Sequence, residues 1–538
     1  MLIADTRNRW EKLNPSKQAY MLTGTDEHGL KIQNTAEKLG IEPKELVDKV
    51  SNNFKSLASQ LNIKYDRFIR TTDLDHVEVA QNFWTMMMEK GYIYKGTHSG
   101  WYCISDETFY PESGLEEVEK NGKLVKISIE SKNEVVYETE TNYFFKLSLF
   151  QNDLIEYLRQ NPQFIKPNHR YKFILNELMT TKLPDLSVSR PSLRLKWGID
   201  VPNDPSQKIY VWFDALLNYL TATGFPNGFT KEEGDKFITL DSSTWPATHV
   251  IGKDIIRFHC IYWPIFLMAA QIDLPKQVIV HSHWLCEGFK MSKSLGNVVE
   301  PIELSEYYGV DPVRFFLTEN SNIDDDCKFS EALLQRSRDA LVGKYCNLLS
   351  RIGGKLFDIA QAVKQAKDGE FTNIKDLIEG VSLKKENVSM LLQLSTELQE
   401  NLNGLYHDMN EKFTDFDYIR AIQSWWKVIN QANQLFQVAE PWLYVSAIKD
   451  SQISEETARE YQLLVNYFVY LCAETIRISS ILIQPVMPQL SDQILTRLNV
   501  SPERRNCKFA KIGVDMDYGE GANSSSHKPP LQKVKSRV

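Results

Sequence analysis

Several features that restrict where a protein works are scarce or absent in this 538-residue sequence. Its seven cysteines are scattered, and no two of them form a Cys-x-x-Cys pair. This spacing argues for a reducing compartment and against a disulfide framework or a cysteine zinc site. No apolar run approaches the roughly 18 residues that a membrane span needs, and no targeting peptide is visible at Met1. The formal net charge of −8 gives no general sign of nucleic-acid binding, although clustered basic residues on one face would still allow it.

The order of the predicted elements indicates an α/β fold that is interrupted once and then followed by helices. Short apolar strands, polar loops and helices alternate near both ends of the first 330 residues, which is typical of a parallel sheet. The expected strands include 20–23 and 277–281, and a helix is expected from about Leu30 to Leu39. Alternating runs mixed with short helices between them indicate an inserted α+β connective subdomain. Later apolar stripes of period 3.6, the first of them over residues 334–367, predict an all-α bundle. The expected fold class is therefore α/β, with a Rossmann-like doubly wound parallel sheet, the connective insertion and a helical bundle.

These patterns predict five segments. Residues 1–91 and 204–330 are the two halves of the α/β domain, and residues 92–203 form the insertion between them. Residues 331–505 form the helical domain. The remaining residues, 506–538, are rich in Gly, Ser, Pro and Lys and are expected to be a largely disordered tail.

The most informative stretch is Lys290-Met291-Ser292-Lys293-Ser294. It brings two ammonium groups and two hydroxyls into one loop, where they can surround a polyphosphate. Groups held ready in this way stabilise negative charge that develops in a transition state. An isolated match of five residues would more often be a solvated basic turn, so the interpretation depends on the rest of the chain.

Other motifs supply that context. Residues 24–29 (GTDEHG), 210–215 (YVWFDA), 249–254 (HVIGKD) and 290–294 (KMSKS) occur in the order and spacing of methionyl-tRNA synthetases. The resemblance covers about residues 1 to 500 and is nearest to the short, bacterial-like and organellar branch of these class I aminoacyl-tRNA synthetases. It implies a methionine–tRNA ligase for translation, which activates methionine with ATP and Mg²⁺ and transfers it to tRNA(Met). It also implies that the helical bundle binds the anticodon.

The resemblance assigns a methionine site to residues of two motifs and their neighbours. Asp26 takes the role of binding the substrate ammonium, with His28 in the same loop; the alternative for Asp26 is an N-cap of the next helix. A soft, flexible thioether packs well against aromatic faces, although single aromatics such as Trp212 and Tyr219 are more often core residues. The side-chain pocket comprises Trp212, Ala215, Leu216, Tyr219, Ile255 and His259.

The ATP site is assigned in the same way. Gly252 permits close backbone approach, Lys253 adds a positive charge, and Asp254 can accept from ribose hydroxyls. The alternative for Asp254 is an acid that stabilises a helix N-terminus. The loop of Lys290, Met291, Ser292, Lys293 and Ser294 is expected to close over the triphosphate, with Lys290 and Lys293 as the catalytic residues.

The RNA contact is expected on the helical bundle. Asn347 and Arg351 lie at i and i+4, away from an apolar stripe, and could read base edges. The resemblance gives them that role, and it matches Trp442 to a tryptophan on which an anticodon base stacks for roughly 1–3 kcal/mol. The alternatives are an ordinary polar face and core packing behind Pro441. The apolar stripe comprises Leu341, Tyr345, Leu348, Leu349, Ile352 and Leu356.

Two features of the family are missing. No HIGH-type motif precedes residues 24–29, so we expect the first strand to be lacking and this polypeptide alone to be inactive, with unpaired strand edges. Cys103 stands without a partner cysteine where many methionyl enzymes carry a zinc knuckle, so no zinc or other bound metal is expected. The branch implies a monomer in the mitochondrial matrix without membrane contact; a cytoplasmic enzyme is the alternative.

Two other functions remain open at this stage. A non-catalytic tRNA-binding member of the family is favoured by the missing HIGH-type motif and opposed by the intact lysine loop. Another class I aminoacyl-tRNA ligase is opposed by the insertion at 92–203, which is too short for an editing domain. The cysteines of a cysteine-specific zinc pocket are also absent.

Overall fold

The computed structural model describes residues 1–103, 108–120, 123–231, 236–286, 288–291, 298–524, 528–535 and 537. Its contacts define two compact units. The sheet unit comprises Tyr20–Ser59 and Lys64–His281, and the helical unit comprises Met1–Ala19, Gln60–Ile63 and Ser282–Val538. This division differs from the predicted segments, because the α/β half predicted for 204–330 is divided after His281.

The sheet unit contains two groups of parallel strands. Leu22–Thr25 pairs with Arg67–Arg70, and Gln277–His281 lies between Thr248–Gly252 and Ile165–Lys166. Within the part of the chain that the structure describes, strand pairing does not join the two groups. The prediction of parallel strands is confirmed, and the first strand begins two residues after its predicted start at Tyr20.

The helices of the sheet unit follow its strands. The first is bounded by glycines on both sides: Gly29 precedes it with φ 105°, and Gly40 ends it in the left-handed conformation, as at many helix C-termini. The helices are Leu30–Leu39, Pro43–Gln60, Leu74–Glu89, Gln151–Gln160, Asn168–Thr180, Val211–Leu216, Asn218–Ala222 and Trp263–Ala270, with a π-helix at Phe258–Tyr262.

The predicted insertion contains antiparallel ladders and short helices, as expected of an α+β subdomain. Its strand Ile165–Lys166 nevertheless belongs to the parallel group, and ladders of the antiparallel kind continue beyond residue 203. Ile93–Cys103 and Val135–Phe145 pair along their full length, with Thr108–Tyr110 and Leu186–Ser187 outside them. Smaller ladders join Leu115–Lys120 to Lys123–Ser128, Phe229–Lys231 to Phe237–Thr239, and Asp204–Ile209 to both Ser189–Pro191 and Asp200–Val201.

An aromatic core fixes the position of helix Val211–Leu216. The ring of Phe213 is fully buried and lies 5.5 Å from Trp84, 5.8 Å from Phe83 and 5.0 Å from Phe266. Rings at these separations contribute packing energy beyond their buried area. The neighbouring residues on this helix, Trp212 and Asp214, are therefore held in defined positions.

The helical unit is built around helix Glu455–Ile483. Every residue from Leu464 to Ile483 is buried, which is typical of a helix surrounded by others. A small sheet of Trp284–Cys286, Phe289–Lys290 and Cys327–Phe329 belongs to the same unit. The other helices are Leu2–Lys12, Pro301–Tyr308, Val310–Glu319, Glu331–Ala340, Asn347–Ile352, Ile359–Lys367, Ile374–Val381, Val388–Thr414, Tyr418–Ala439, Pro441–Ala447 and Pro488–Arg497, with a π-helix at Leu341–Cys346.

The N-terminal helix belongs to the helical unit rather than to the predicted α/β half. Trp10 stacks on Phe413 with ring centroids 4.2 Å apart, and its indole N–H donates to the side-chain oxygen of Asn410 at 3.0 Å. The buried carboxylate of Asp5 accepts from Arg314 at 2.7 Å. These contacts join residues that are about 300 to 400 positions apart, which local patterns do not reveal.

The prediction of a largely disordered tail is wrong for residues 506–524. The buried carboxylate of Glu474 accepts from the hydroxyl of Tyr518 at 2.8 Å and from the backbone of Gly513 at 3.0 Å. Arg477 donates to the carbonyl of Phe509 at 2.7 Å. Composition suggested disorder, but buried polar groups of the central helix bind this segment, and Ala522 is fully buried.

The predicted helix that spans 334–367 is interrupted. It ends at Ile352 before Gly353, so Leu356 does not continue the apolar stripe and is 53% exposed. The other five stripe residues are buried. Where the structure describes the chain, no helix combines the length and the apolar character that crossing a membrane requires.

Candidate functional site

The polar loop after strand Leu22–Thr25 contains two acids in very different surroundings. Glu27 is buried, and its carboxylate accepts from Arg70 at 2.7 Å and from the hydroxyls of Thr25 and Thr72 at 2.6 Å each. The hydrogen bond to Glu27 is also the main reason why the pKa of Arg70 is raised. Asp26 is exposed. Of the two neighbouring acids, Asp26 is therefore the one that a ligand can reach.

The backbone of this loop is fixed at both ends. At Gly24 a Cβ atom would lie 1.9 Å from the carbonyl oxygen of Ile69, so this close approach requires glycine. The indole N–H of Trp197 donates to the carbonyl of Glu27 at 2.6 Å, and the backbone of Gly29 donates to the carbonyl of Trp197 at 3.2 Å. The loop therefore presents Asp26 and His28 in a defined conformation.

His28 forms one end of a buried chain of polar groups. Its Nδ1 lies 2.7 Å from Oδ2 of Asp214, whose other oxygen lies 2.6 Å from Nε2 of His76. Nδ1 of His76 lies 3.0 Å from the hydroxyl of Thr221. Burial opposes charge on His28, but the carboxylate of Asp214 outweighs it and raises the pKa of His28. Burial likewise opposes charge on Asp214, and its histidine partners hold the pKa of that carboxyl below its ordinary value.

Tyr219 and His259 form a neutral pair. Nδ1 of His259 lies 3.0 Å from the carbonyl of Ile255, which can only accept, so Nδ1 carries the proton. Burial lowers the pKa of His259 to about 4, so its other nitrogen is an acceptor at neutral pH. The hydroxyl of Tyr219 lies 2.8 Å from that Nε2 and donates to it.

A second neutral histidine lies next to this pair. The ring of His249 stacks on Tyr219 with centroids 4.0 Å apart. Its Nε2 accepts from the indole N–H of Trp263 at 3.1 Å. Burial and the neighbouring His259 lower the pKa of His249. We call Trp212, Tyr219, His249, Phe258, His259 and Trp263 the aromatic–histidine cluster.

Three of the six residues predicted for the side-chain pocket belong to this cluster: Trp212, Tyr219 and His259. Trp212 is partly buried, stacks on Phe258 at 3.7 Å and meets His259 edge-on at 6.2 Å. Ile255 contributes its carbonyl to His259, and Ala215 is 8% exposed on helix Val211–Leu216. Leu216 is 1% exposed and belongs to the hydrophobic core.

The residues assigned to ATP are divided between the two units. Gly252 ends strand Thr248–Gly252 beside His281, and Lys253 and Asp254 follow it in a 3₁₀ turn where Asp254 is exposed. Met291 packs against a core cluster of the helical unit. Lys290 ends a short strand, and its side chain lies outside the described part of the structure, as do Ser292, Lys293 and Ser294.

The residues assigned to RNA share one surface of the helical unit. Asn347 is exposed on helix Asn347–Ile352, and Arg351 is one turn further along. The guanidinium of Arg351 lies 4.7 Å from the ring of Phe436 and 5.8 Å from the ring of Trp442. It also donates to Gln437 at 3.2 Å. Trp442 is only partly buried, so part of its ring remains open to solvent.

Among the described residues, no three His, Cys, Asp or Glu side chains are placed to hold a metal ion.

Comparison with known proteins identifies the family. A family model described as tRNA synthetases class I (M) matches residues 1–353. The chain belongs to the class I tRNA synthetases (M). It is 70% identical to the mitochondrial methionine–tRNA ligase of Candida albicans over 537 residues, which is all of this chain and 92% of that protein. The corresponding protein of Saccharomyces cerevisiae is 43% identical with the same coverage, and the human protein is 37% identical over 94% of this chain and 81% of its own length.

Solved structures of this class I synthetase family are similar over nearly the whole chain. A methionyl-tRNA synthetase of Mycobacterium tuberculosis bound by methionyl-adenylate has a TM-score of 0.80 at 33% identity. The match covers 99% of this chain and 95% of that one.

Several residues that surround the candidate site were not singled out in the sequence. Glu27, His76, Asp214 and His249 are buried polar residues with defined partners, and Phe258 stacks on Trp212. The signal that was available is an acid inside an apolar run: Asp214 lies in the segment YVWFDALL, where an unpaired carboxylate would be costly. Such an acid indicates that a buried partner exists but does not identify the partner residue.

Proposed function

We propose that this chain is a mitochondrial methionine–tRNA ligase. In the first step, the carboxylate of methionine attacks the α-phosphate of ATP and gives methionyl-adenylate and pyrophosphate. In the second step, a ribose hydroxyl of the terminal adenosine of tRNA(Met) attacks the activated carbonyl, and AMP leaves. The mitochondrial assignment is supported by the names of relatives that are up to 70% identical to the chain; we assign it to the matrix, where mitochondrial translation takes place.

The observation that carries this proposal is the neutrality of the aromatic–histidine cluster. His259 has a pKa of about 4, and its acceptor nitrogen is already occupied by the hydroxyl of Tyr219. The cluster thus presents aromatic faces without a net charge. A soft, uncharged thioether fits such surroundings, whereas a charged side chain would lose hydration without gaining a partner.

The polar end of methionine requires different surroundings. Asp26 is the exposed acid of its loop, whereas Glu27 is buried. We assign the substrate ammonium to Asp26. Gly252, Lys253 and Asp254 are assigned to ATP, which brings its own Mg²⁺, and Lys290 and Lys293 are assigned to the charge that shifts onto its phosphates.

The RNA surface supplies the specificity for tRNA(Met). Arg351 and Trp442 lie close together, with a partly open indole face and a guanidinium plane. Both planes can stack on unpaired bases, and Asn347 and Arg351 can bond to base edges. We assign these three residues to the CAU anticodon.

A matched pair of variants tests the methionine site. Asp26→Asn should weaken the binding of L-methionine, measured by calorimetry, by about tenfold or more, because a hydrogen bond to a charged group contributes about 1.5–3 kcal/mol. The control Glu27→Gln should mainly lower the unfolding midpoint, because it weakens the ion pair with Arg70. Equal methionine affinity in wild type and Asp26→Asn would contradict the assignment.

Loss of the gene tests the function in the cell. The charged fraction of mitochondrial tRNA(Met) should fall towards zero in a deletion strain, while other mitochondrial tRNAs remain charged. Unchanged charging of mitochondrial tRNA(Met) would reject the proposal.

The anticodon surface is tested with a stem-loop RNA that carries CAU. Trp442→Leu should reduce the affinity by roughly 1–3 kcal/mol, whereas Trp442→Phe should retain much of it because an aromatic face remains. Equal losses in both variants would show that stacking is not the contact.

A further inference from the structure

A pocket of about 200 Å³ lies in the helical unit where helix Asn347–Ile352 ends. At roughly 30 Å³ per water molecule, this volume has room for several waters or for one phosphate group. None of its residues belongs to the sites described above. Its wall includes Ser350, Gly353, Gly354, Lys355, Arg497 and Asn523.

Two positive charges and no acid line this pocket among the described residues. Within the same part of the chain, the guanidinium of Arg497 makes a single long hydrogen bond, from Nε to the carbonyl of Ala522 at 3.4 Å. Burial alone lowers its pKa, and no carboxylate opposes that effect, although an arginine remains charged at any physiological pH. Lys355 is exposed, and neither cation has an ion-pair partner among the residues that the structure describes.

The guanidinium is held against the backbone of the loop. A Cβ atom at Gly353 would lie 2.3 Å from Nη2 of Arg497, so the absence of a side chain there makes room for the cation. The planar fork of Arg497 therefore lies directly against this loop. Such a fork suits the oxygens of a phosphate, which accept two parallel hydrogen bonds.

The loop after helix Asn347–Ile352 is fixed by the side chain of Asn523. The amide nitrogen of Asn523 donates to the carbonyls of Ile352, Gly354 and Phe357 at 3.0, 3.2 and 2.8 Å. Its oxygen accepts from the backbone of Ile359 at 3.0 Å. A loop that is ordered before binding loses less entropy when a ligand enters.

We infer that Arg497 and Lys355 bind a phosphodiester group of the RNA strand whose bases lie at Asn347, Arg351 and Trp442. The pocket begins at the same helix, because its lining residue Ser350 is next to Arg351 in the chain. The inference rests on the proposed function, which assigns this surface to RNA. It adds a contact that holds the backbone and does not depend on the base sequence.

The test is the salt dependence of binding to an anticodon stem-loop RNA. Arg497→Gln and Lys355→Gln should each weaken binding by about threefold to tenfold and reduce the slope of log K against log salt by about 0.7–1. The losses should be the same for a CAU loop and for a scrambled loop. The controls Arg459→Gln and Lys508→Gln remove exposed charges of the same unit outside the pocket and should leave the slope unchanged.

Three results would overturn the inference. The first is a slope in both pocket variants equal to that of wild type, with circular dichroism showing that they are folded. The second is a loss confined to the CAU loop. The third is calorimetric binding of inorganic phosphate that Arg497→Gln abolishes while RNA affinity is unchanged, because the pocket would then serve a small anion. A wild type without any preference for CAU would instead reject the proposed anticodon surface, and the slopes of the variants would still report the phosphate contact.

Discussion

The sheet unit contains two pairs of histidines in opposite electrostatic surroundings. His28 and His76 share the buried carboxylate of Asp214, and the pKa of His28 is raised as a result. His249 and His259 lie among aromatic rings without an acid, and the pKa of each is lowered. Both environments are largely buried, so burial alone does not decide the charge. The difference is the single carboxylate.

This contrast corresponds to the two ends of an amino acid. The charged group of the first pair lies in the loop that carries Asp26, where we propose that the substrate ammonium binds. The neutral group lies where we propose that the thioether binds. One buried acid therefore allows the same residue type to serve a polar region and an apolar region of one site.

Replacement of Asp214 should have the largest effect, because this carboxylate is what distinguishes the two histidine pairs. Asp214→Asn leaves one acceptor oxygen for two ring N–H groups, so one histidine faces an amide NH₂. Loss of one partner from a buried ion pair costs about 3–5 kcal/mol, and we expect the free energy of unfolding to fall by that amount. Urea unfolding followed by far-UV circular dichroism measures it.

A matched exposed acid controls for this substitution. Asp153→Asn changes an exposed residue of helix Gln151–Gln160 and should alter the free energy of unfolding by less than about 0.5 kcal/mol. Similar values for Asp153→Asn and Asp214→Asn would mean that the buried histidine–carboxylate chain contributes little to stability.

The contributions of His28 and His259 to the free energy of unfolding should change with pH in opposite directions. Because the pKa of His28 is raised, its contribution is fully present below about pH 6.5, the ordinary value of a histidine, and is lost as the pH rises through the folded pKa. The destabilisation caused by His28→Asn should therefore shrink as the pH rises from 6 to 9. Asp214, Asp26, Glu27 and His76, which surround His28, are present in both proteins.

For His259 the sign is reversed. Its pKa is about 4 when folded, so between about pH 6.5 and 4 the unfolded chain binds a proton that the folded chain does not. Wild type should lose about 1.4 kcal/mol per pH unit in this range through His259, and His259→Asn should lack that loss. Unfolding free energies measured at a series of pH values check this. Parallel curves of unfolding free energy against pH for wild type and His259→Asn would contradict the assigned charge of His259.

Part of this site could be predicted from the sequence because it depends on local signals. Helix Leu30–Leu39 was predicted from about residue 30 to residue 39, directly after the polar loop 24–29, and the structure has these bounds. Strand Gln277–His281 is a short apolar run and was also predicted at its observed position. The motifs that carry the family resemblance are local in the same sense.

The remaining features depend on partners that are distant in the chain. Asp26 and Glu27 are adjacent acids, and Arg70, which occupies Glu27, is 43 positions away. Asp214 meets His28 across 186 positions and His76 across 138. No local pattern indicates that Glu27 will be buried with a distant partner and that Asp26 will stay exposed. For the same reason the folding of residues 506–524 onto the central helix was missed.

The smallest expected effect tests the proton assignment within the neutral pair. Tyr219→Phe removes the hydroxyl that donates to Nε2 of the buried His259, and the unsatisfied acceptor should cost about 1–2 kcal/mol of unfolding free energy. The loss should be constant between pH 6 and 8, because His259 stays neutral there. Tyr262 lies in the π-helix that carries His259, and its hydroxyl has no hydrogen bond among the described residues. Tyr262→Phe should therefore cost less unfolding free energy than Tyr219→Phe. A loss that grows as the pH falls from 8 to 6 would mean that His259 takes up a proton in this range, and the contrast with His28 would then fail.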